Sequence, residues 1–562
     1  MPGFTKLRMF ALTLAGLILS LTPVFNTPQG DRAFYRPAQD LITSPTPAPP
    51  EIEGFEVSRG EYREPAETSG ASIQPAPRVM LSVDAPAPLA GFNGISMQPD
   101  NNLLPRLHTP PDTHAAAGID RIVEVTNGHV AIYSKSGALL AGGDSGPGAV
   151  DLDDFCGESG PDPHCYDTKV IFDQYANRFV AIALDGKSSA QSTLRMMVSK
   201  NGQPGNLTTD WDRYYLPTGT NISGTNAWLD YPGLGLSPEA IVVTGNLFGD
   251  AFPFIFSGTK IRVFDKSELY DGDPAVSYID LNNNPSMGFT LQPAHHFGPT
   301  PAGTFFLMNR ENDSTLRVWT LTSLPSSPSA SSALVNTNNQ GGCVQLAPQK
   351  GTTQKFVDTV CIRMMNAVWR EGTLWGTLTG ATAGDTRSLI HWFEVDTTTP
   401  GAPTLLQHGS IDGGAGEYTY MPAITVDSCG NAALVYTQSS PARFPEMRYT
   451  GRLNTNPLNT MQSPVVAKTS AGYQDDFGGS STPPSRERWG DYAAAVIDPI
   501  DDSFWLTHEY VKVPPLFGND SGWGTWHTHF TFSCKGPFPG NPVAYLPIVS
   551  HNSLSALTAN QR

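Results

Sequence analysis

Four aspartates, Asp112, Asp167, Asp230 and Asp491, each stand just before a stretch of small and apolar residues, and the sequence around each has the same rhythm. Arg363 and Tyr420 hold the matching place in two further stretches, with His295 and His296 near it in another. Carboxylates gathered at one level of a fold repel one another. They coexist only with protons, arginines or a cation between them. Their oxygens suit a hard cation such as Ca²⁺. Flanked by arginine and aromatic rings, they suit a sugar or another polar ligand. Asp230 and Asp491, with Tyr420, are also candidates for acid and base in glycoside cleavage, which needs a carboxyl pair at a set separation. A structural alternative competes with all of these. Each aspartate would accept backbone N–H groups at the start of its strand and lock one repeat to the next. Recurrence favours the lock, because every repeat needs one and only one repeat needs a catalyst.

The richest stretch lies around Asp491. Arg486, Glu487, Arg488, Trp489, Asp491 and Tyr492 crowd together there. Arginine beside an aromatic ring and a carboxylate is a reasonable sugar- or carboxylate-binding set. The ligand-binding candidates are therefore Asp112, Asp167, Asp230, Arg363, Tyr420, Arg488, Trp489 and Asp491. His527 and His529 share one face of a strand, whereas adjacent His295 and His296 point to opposite faces, a poor chelate. GxSxG, HExxH, a Walker loop and a dinucleotide fingerprint are all missing. The DGDP stretch at Asp271 lacks the later glutamate of an EF-hand loop. The stretch from Ser199 to Trp211 does not fit a sialidase Asp box.

The elements that position these residues are short strands. Gly (54) and Pro (49) are abundant and charged residues are only 15%, which suits many strands joined by turns. The clearest unit runs DYPGLGLSPEAIVVTGN from Asp230 to Asn246, then KIRVFDK from Lys260. Similar units start at Asp112, Asp167, Pro293, Arg363, Tyr420 and Asp491. They recur at about 63 residues on average, a sheet unit that cannot bury both faces alone. The expectation is an all-β chain forming one β-propeller of about seven four-stranded blades. The last unit lacks an obvious fourth strand. The stretch Val79 to Val83 is expected to supply it and so remove an exposed edge.

Lys6 and Arg8 precede an apolar run from Met9 to Phe25, the pattern of an export signal and too short for an ordinary span. Residues 1–26 are read as this signal, 27–77 as a Pro-rich disordered spacer, 78–535 as the propeller and 536–562 as a tail. No other segment is expected to cross a membrane. The reading places the protein outside the cell or on its surface, where cysteines can pair. Cys156 with Cys165, Cys343 with Cys361 and Cys429 with Cys534 is the favoured set, out of fifteen complete pairings. The net charge of -17 and the lack of a basic run argue against nucleic acid as a partner.

The strings MPAITVDSCGNAALVYTQSS, EMRYTGR, RWGDYAAAVIDPIDDSFWLTHEY and RMMNAVWREGTLW resemble a family of exported bacterial propeller proteins, mostly described as uncharacterised or sialidase-like. The resemblance covers roughly residues 90 to 534. It implies secretion and a propeller fold, and it implies no catalytic residues. Three functions remain open. The first is a secreted or cell-surface binding module for a glycan, a cell-wall polymer or a protein. The second is a glycan-active hydrolase or lyase of sialidase-like type. The third is a structural surface or adhesion component. With no catalytic motif on the page, the non-enzyme reading leads.

Overall fold

The structure is a computed structural model that describes residues 80–97, 110–143, 149–157, 165–252, 254–284, 287–384, 386–475, 484–515 and 521–534. The expected signal, spacer and tail lie outside these residues. Among the described residues, no helix is long and apolar enough to cross a membrane.

The described residues contain seven four-stranded antiparallel units. Their first strands are His114–Ala117, Cys165–Asp173, Thr225–Leu236, Gln292–Phe297, Met364–Arg370, Tyr418–Val426 and Ala494–Ile497. These strands touch one another in chain order, and the last touches the first, so the units close into a ring. The sheets are a β-propeller, and the first strands line its axis. Packing between blades makes the core. Trp375, Trp392, Ile424, Leu434, Tyr449 and Phe504 of blades 5 to 7 belong to one such layer. Each large apolar side chain buried in this way contributes roughly 1.5–3 kcal/mol.

One backbone feature recurs at the axial end of the first strands. Asp112, Asp167, Tyr231, Thr290, Ile362 and Met421 all take positive φ, between 48° and 62°. A non-glycine residue there costs about 1–3 kcal/mol and persists only when its surroundings fix it. Here the fixing group comes from the preceding blade. Asp167 N–H donates to Asn127 Oδ1 (2.8 Å) and Tyr231 N–H to Asp167 Oδ2 (3.0 Å). Thr290 N–H donates to Asn246 Oδ1 (2.8 Å) and Met421 N–H to Thr379 Oγ1 (3.0 Å). The lock expected of the aspartates therefore exists, but only Asp167 is an aspartate serving it in this set.

Ring closure corrects one expectation. The strand that completes blade 7 is Ala90–Ser96, paired antiparallel with Gly522–Phe530. The stretch nearer Val79, seen as Met80–Asp84, pairs instead in parallel with Met461–Ser463 beside blade 6. Glycine decides the difference. A Cβ on Gly91 would lie 2.7 Å from the Trp526 ring, and one on Gly94 would overlap the Glu124 carboxylate. Val79 to Val83 offers no glycine for those places. Glu124, in blade 1, accepts the Ile95 N–H at 3.0 Å and faces His527 Nε2 at 3.2 Å, so three elements meet at the seam.

Two of the expected disulfides are present, Cys343–Cys361 and Cys429–Cys534, with Cα separations of 5.3 and 5.9 Å. The third is not. Cys156 and Cys165 are free thiols, both buried in one apolar layer with Leu152 and Phe155. Burial, then a hydrogen bond with Cys156, pushes the Cys165 thiol well up, which keeps it protonated and unreactive.

Two outcomes are expected. Gly91→Val should destabilise the protein by about 1–3 kcal/mol through overpacking against Trp526, read as a lower Tm in thermal melts. A thiol reagent should find no reactive cysteine in the native protein and two after denaturation without reductant, measured by absorbance.

Candidate functional site

The axis brings together three of the predicted residues. Carboxylate oxygens of Asp112, Asp167 and Asp491 lie within 4.8 Å of one another, and all three residues are buried. Asp230 is buried too but stands outside this trio. The sequence alignment is one residue out of register in three blades. The level of Asp112 and Asp167 is held by Tyr231, Ile362 and Met421 rather than by Asp230, Arg363 and Tyr420. The left-handed residue sits where pairing slips in three of these strands, between Tyr166 and Lys169, Asp230 and Gly233, and Tyr420 and Ala423. Periodicity in sequence cannot register such a slip.

Hydrogen bonds tie the trio into the ring. Asp112 Oδ2 accepts from Asn127 Nδ2 at 2.8 Å. Asp167 Oδ2 accepts from the Tyr231 amide and from the Tyr492 hydroxyl at 3.1 Å. The Tyr231 hydroxyl crosses the axis to the Asp491 carbonyl at 3.1 Å. The Tyr231 and Tyr492 rings, 5.1 Å apart, pack against each other there. Burial, then Asp167 and Asp491, pushes the Tyr492 phenol well up, so it stays a donor.

Positive charge comes from the protein itself. Arg488 Nη2 reaches Asp491 Oδ2 at 2.9 Å, and Arg363 Nη1 lies 3.8 Å from Asp491 Oδ1. Lys169 Nζ sits 4.3 Å over the Tyr492 ring and donates to Gln292 Oε1 at 3.4 Å. Burial lowers the Lys169 ammonium to about 7, against the pull of Asp167, Asp491 and Asp112. His114, next to it in space, is lowered to about 3 by burial and then by Lys169, and accepts the Val170 N–H. Three carboxylates therefore share their space with two arginines and a buried lysine. The oxygen spacing suits a hard cation, but these three basic side chains already answer the repulsion that would call for one. Lys169 and His114 escaped the sequence reading. The repeated tripeptides Asp112-Thr113-His114 and Asp167-Thr168-Lys169 are the signal that marks them.

Other candidates take structural places. Trp489 is buried and donates to Thr437 Oγ1 at 3.0 Å. Tyr420 is buried, donates to Ser439 Oγ at 3.1 Å, and is pushed well up by burial. Neither reaches the trio through these bonds. His296 stacks between Phe305 and Trp369, and His295 pairs with Gln174. His529 bonds Ser503 and stacks on Trp505, while His527 serves the closing seam.

What the axial end leaves partly open is cationic and aromatic. The Arg363 and Arg488 side chains are 11% and 21% exposed. The Arg363 guanidinium lies 5.0 Å from the Tyr231 ring and 5.6 Å from the half-buried Phe289 ring. Such a surface can bind an anionic group by charge-assisted hydrogen bonds. The three carboxylates of the trio beside it are buried.

No protein-family model and no curated protein sequence matches the chain. Solved structures similar in strand arrangement include a subtype N10 neuraminidase-like protein of A/little yellow-shouldered bat/Guatemala/060/2010, at 9% identity over 65% of this chain and 99% of that one, TM-score 0.33. An apocarotenoid oxygenase of Synechocystis is 12% identical over 67% of this chain and 80% of that one, TM-score 0.35. An α-L-arabinanase of Cellvibrio cellulosa, complexed with arabinohexaose, is 9% identical over 54% and 95%, TM-score 0.26. Likeness at this level carries no argument about function.

Lys169 gives a pH signature. With its folded value near 7 and its unfolded value near 10.5, the unfolded chain holds more protons between those pH values, so stability rises with pH across that window. The expected result is that wild-type Tm rises from pH 7 to pH 10 relative to Lys169→Met, measured by thermal melts along a pH series. Parallel curves for the two proteins would refute it.

Proposed function

We propose that the protein is an exported binding module whose axial face holds a carboxylate-bearing glycan. The observation that carries this reading is the division of labour at the axis. The aspartates are buried and bonded into the ring, and the groups left partly open are Arg363, Arg488 and the Phe289 ring. Guanidinium groups recognise carboxylates with geometric specificity, and a flanking ring supplies an apolar face. Export, and the likeness to exported propeller proteins, enter from the sequence pattern and fit a partner found outside the cell.

The glycan-hydrolase reading would need an acid and a base facing a bound sugar. Asp230 and Asp491, its nominated pair, are both buried. The binding reading accounts for the same residues without asking them to move.

The test is calorimetry of the purified protein with acidic and neutral oligosaccharides at low and high salt, beside a panel of fluorogenic glycosides. Acidic saccharides should bind, more weakly at high salt, with no turnover of any glycoside. Arg363→Gln should lose about tenfold in affinity or more, the loss of roughly one charge-assisted hydrogen bond, measured below its own Tm, which should fall because buried Asp491 loses a neutralising charge. Turnover of a glycoside, or binding indifferent to Arg363, would overturn the proposal.

A further inference from the structure

A series of aromatic rings leads away from Arg363 across blade 3. Phe289 contacts the guanidinium, and Phe256 meets Phe289 edge-on at 5.3 Å. Phe256 contacts Phe248 at 6.2 Å, which contacts Trp228 at 5.9 Å. Trp228 meets Phe254 at 6.1 Å, and Phe254 meets Phe252 at 5.9 Å. Burial changes along the series. Trp228 and Phe248 are buried and anchor it. Phe289, Phe256 and Phe254 are half-buried. Phe252 is 72% exposed, and Ile255 beside it in sequence is 65% exposed.

A single exposed apolar side chain needs no explanation. Rings that begin at a partly open arginine and end at an exposed phenylalanine, held from beneath by buried Trp228 and Phe248, are a different object. Edge-to-face contacts hold each ring in place, so little ordering entropy remains to be lost when a ligand lies on them.

We propose that this track is a second subsite of the axial binding face, and that the ligand is an acidic oligosaccharide several sugars long. Its carboxylate sits at Arg363 and Arg488, and its following sugars lay their C–H faces on Phe289 and Phe252. The inference rests on the glycan reading above and adds direction and length to it. A sugar ring carries both features required, hydroxyls that stay in water on one side and an apolar face on the other. A purely apolar ligand would not need the arginines, and a small anion would not need the track.

Affinity is to be measured against a uronic acid monomer, dimer and hexamer, for wild type, Phe252→Ser, Phe289→Leu and Arg363→Gln. Phe252 is exposed, so its replacement should fold normally. Wild type should gain about tenfold from dimer to hexamer, the worth of roughly one well-placed ring contact. Phe252→Ser should flatten that gain and leave monomer binding unchanged, Phe289→Leu should flatten it and also weaken the monomer because its ring flanks Arg363, and Arg363→Gln should weaken every length alike. A wild-type affinity independent of length, or a gain that survives both phenylalanine variants, overturns the subsite and leaves the axial reading standing. Failure of every uronate to bind wild type overturns both.

Discussion

The propeller depends on one repeated bargain between strain and capture. At the axis six of the seven first strands turn through a left-handed residue that its side chain disfavours, and in four blades the amide exposed by that turn is taken by a side chain of the blade before. Neither half is stable alone. Without the capturing group, a buried N–H would lack a partner. Without the turn, the first strands could not present their polar ends toward the axis. Because the donor and the acceptor sit on different blades, the bond also fixes the angle between neighbours.

The charge at the axis follows from that geometry. Turning six strand starts inward brings whatever residue stands there toward the axis, and in two cases it is an aspartate. Asp167 shows how the two roles merge. One of its oxygens holds the Tyr231 amide of the next blade and the Tyr492 hydroxyl from the far side of the seam. Asp491 is tied by Arg363 and Arg488. The carboxylates are therefore structural first, and the arginines that neutralise them are the groups left partly open.

Much of this was legible in sequence. The small-residue strand, tight turn and β-branched strand around Asp230 identify the blade unit, and spacing alone orders the units. Asp112, Asp167 and Asp491 converge as the alignment suggested. The failures share a physical cause. Residue type cannot tell which of two neighbours takes the left-handed turn, so Asp230, Arg363 and Tyr420 looked level with Asp167 when Tyr231, Ile362 and Met421 are. Strand propensity favoured Val79 to Val83 as the closing strand, whereas the seam required glycines at 91 and 94 to admit Trp526 and Glu124. Cys156 and Cys165 sit near in sequence and share a layer, yet proximity does not specify a bond. Lys169 was passed over because a buried lysine is recognisable only once three aspartates are placed around it.

The closing strand sets a clock for the whole molecule. Ile95 accepts from Thr525 across a sequence separation of 430 residues, and Cys429 is joined to Cys534 beside the same seam. The first strand of the ring to be synthesised waits for the last. Until blade 7 has been made, the seam where Ala90–Ser96 docks does not exist, and a nascent chain has an open row of blades with unpaired faces. Contacts of such long range are slow to form. Ring closure is therefore one late event, set by the making of the last blade and not by the folding of the first.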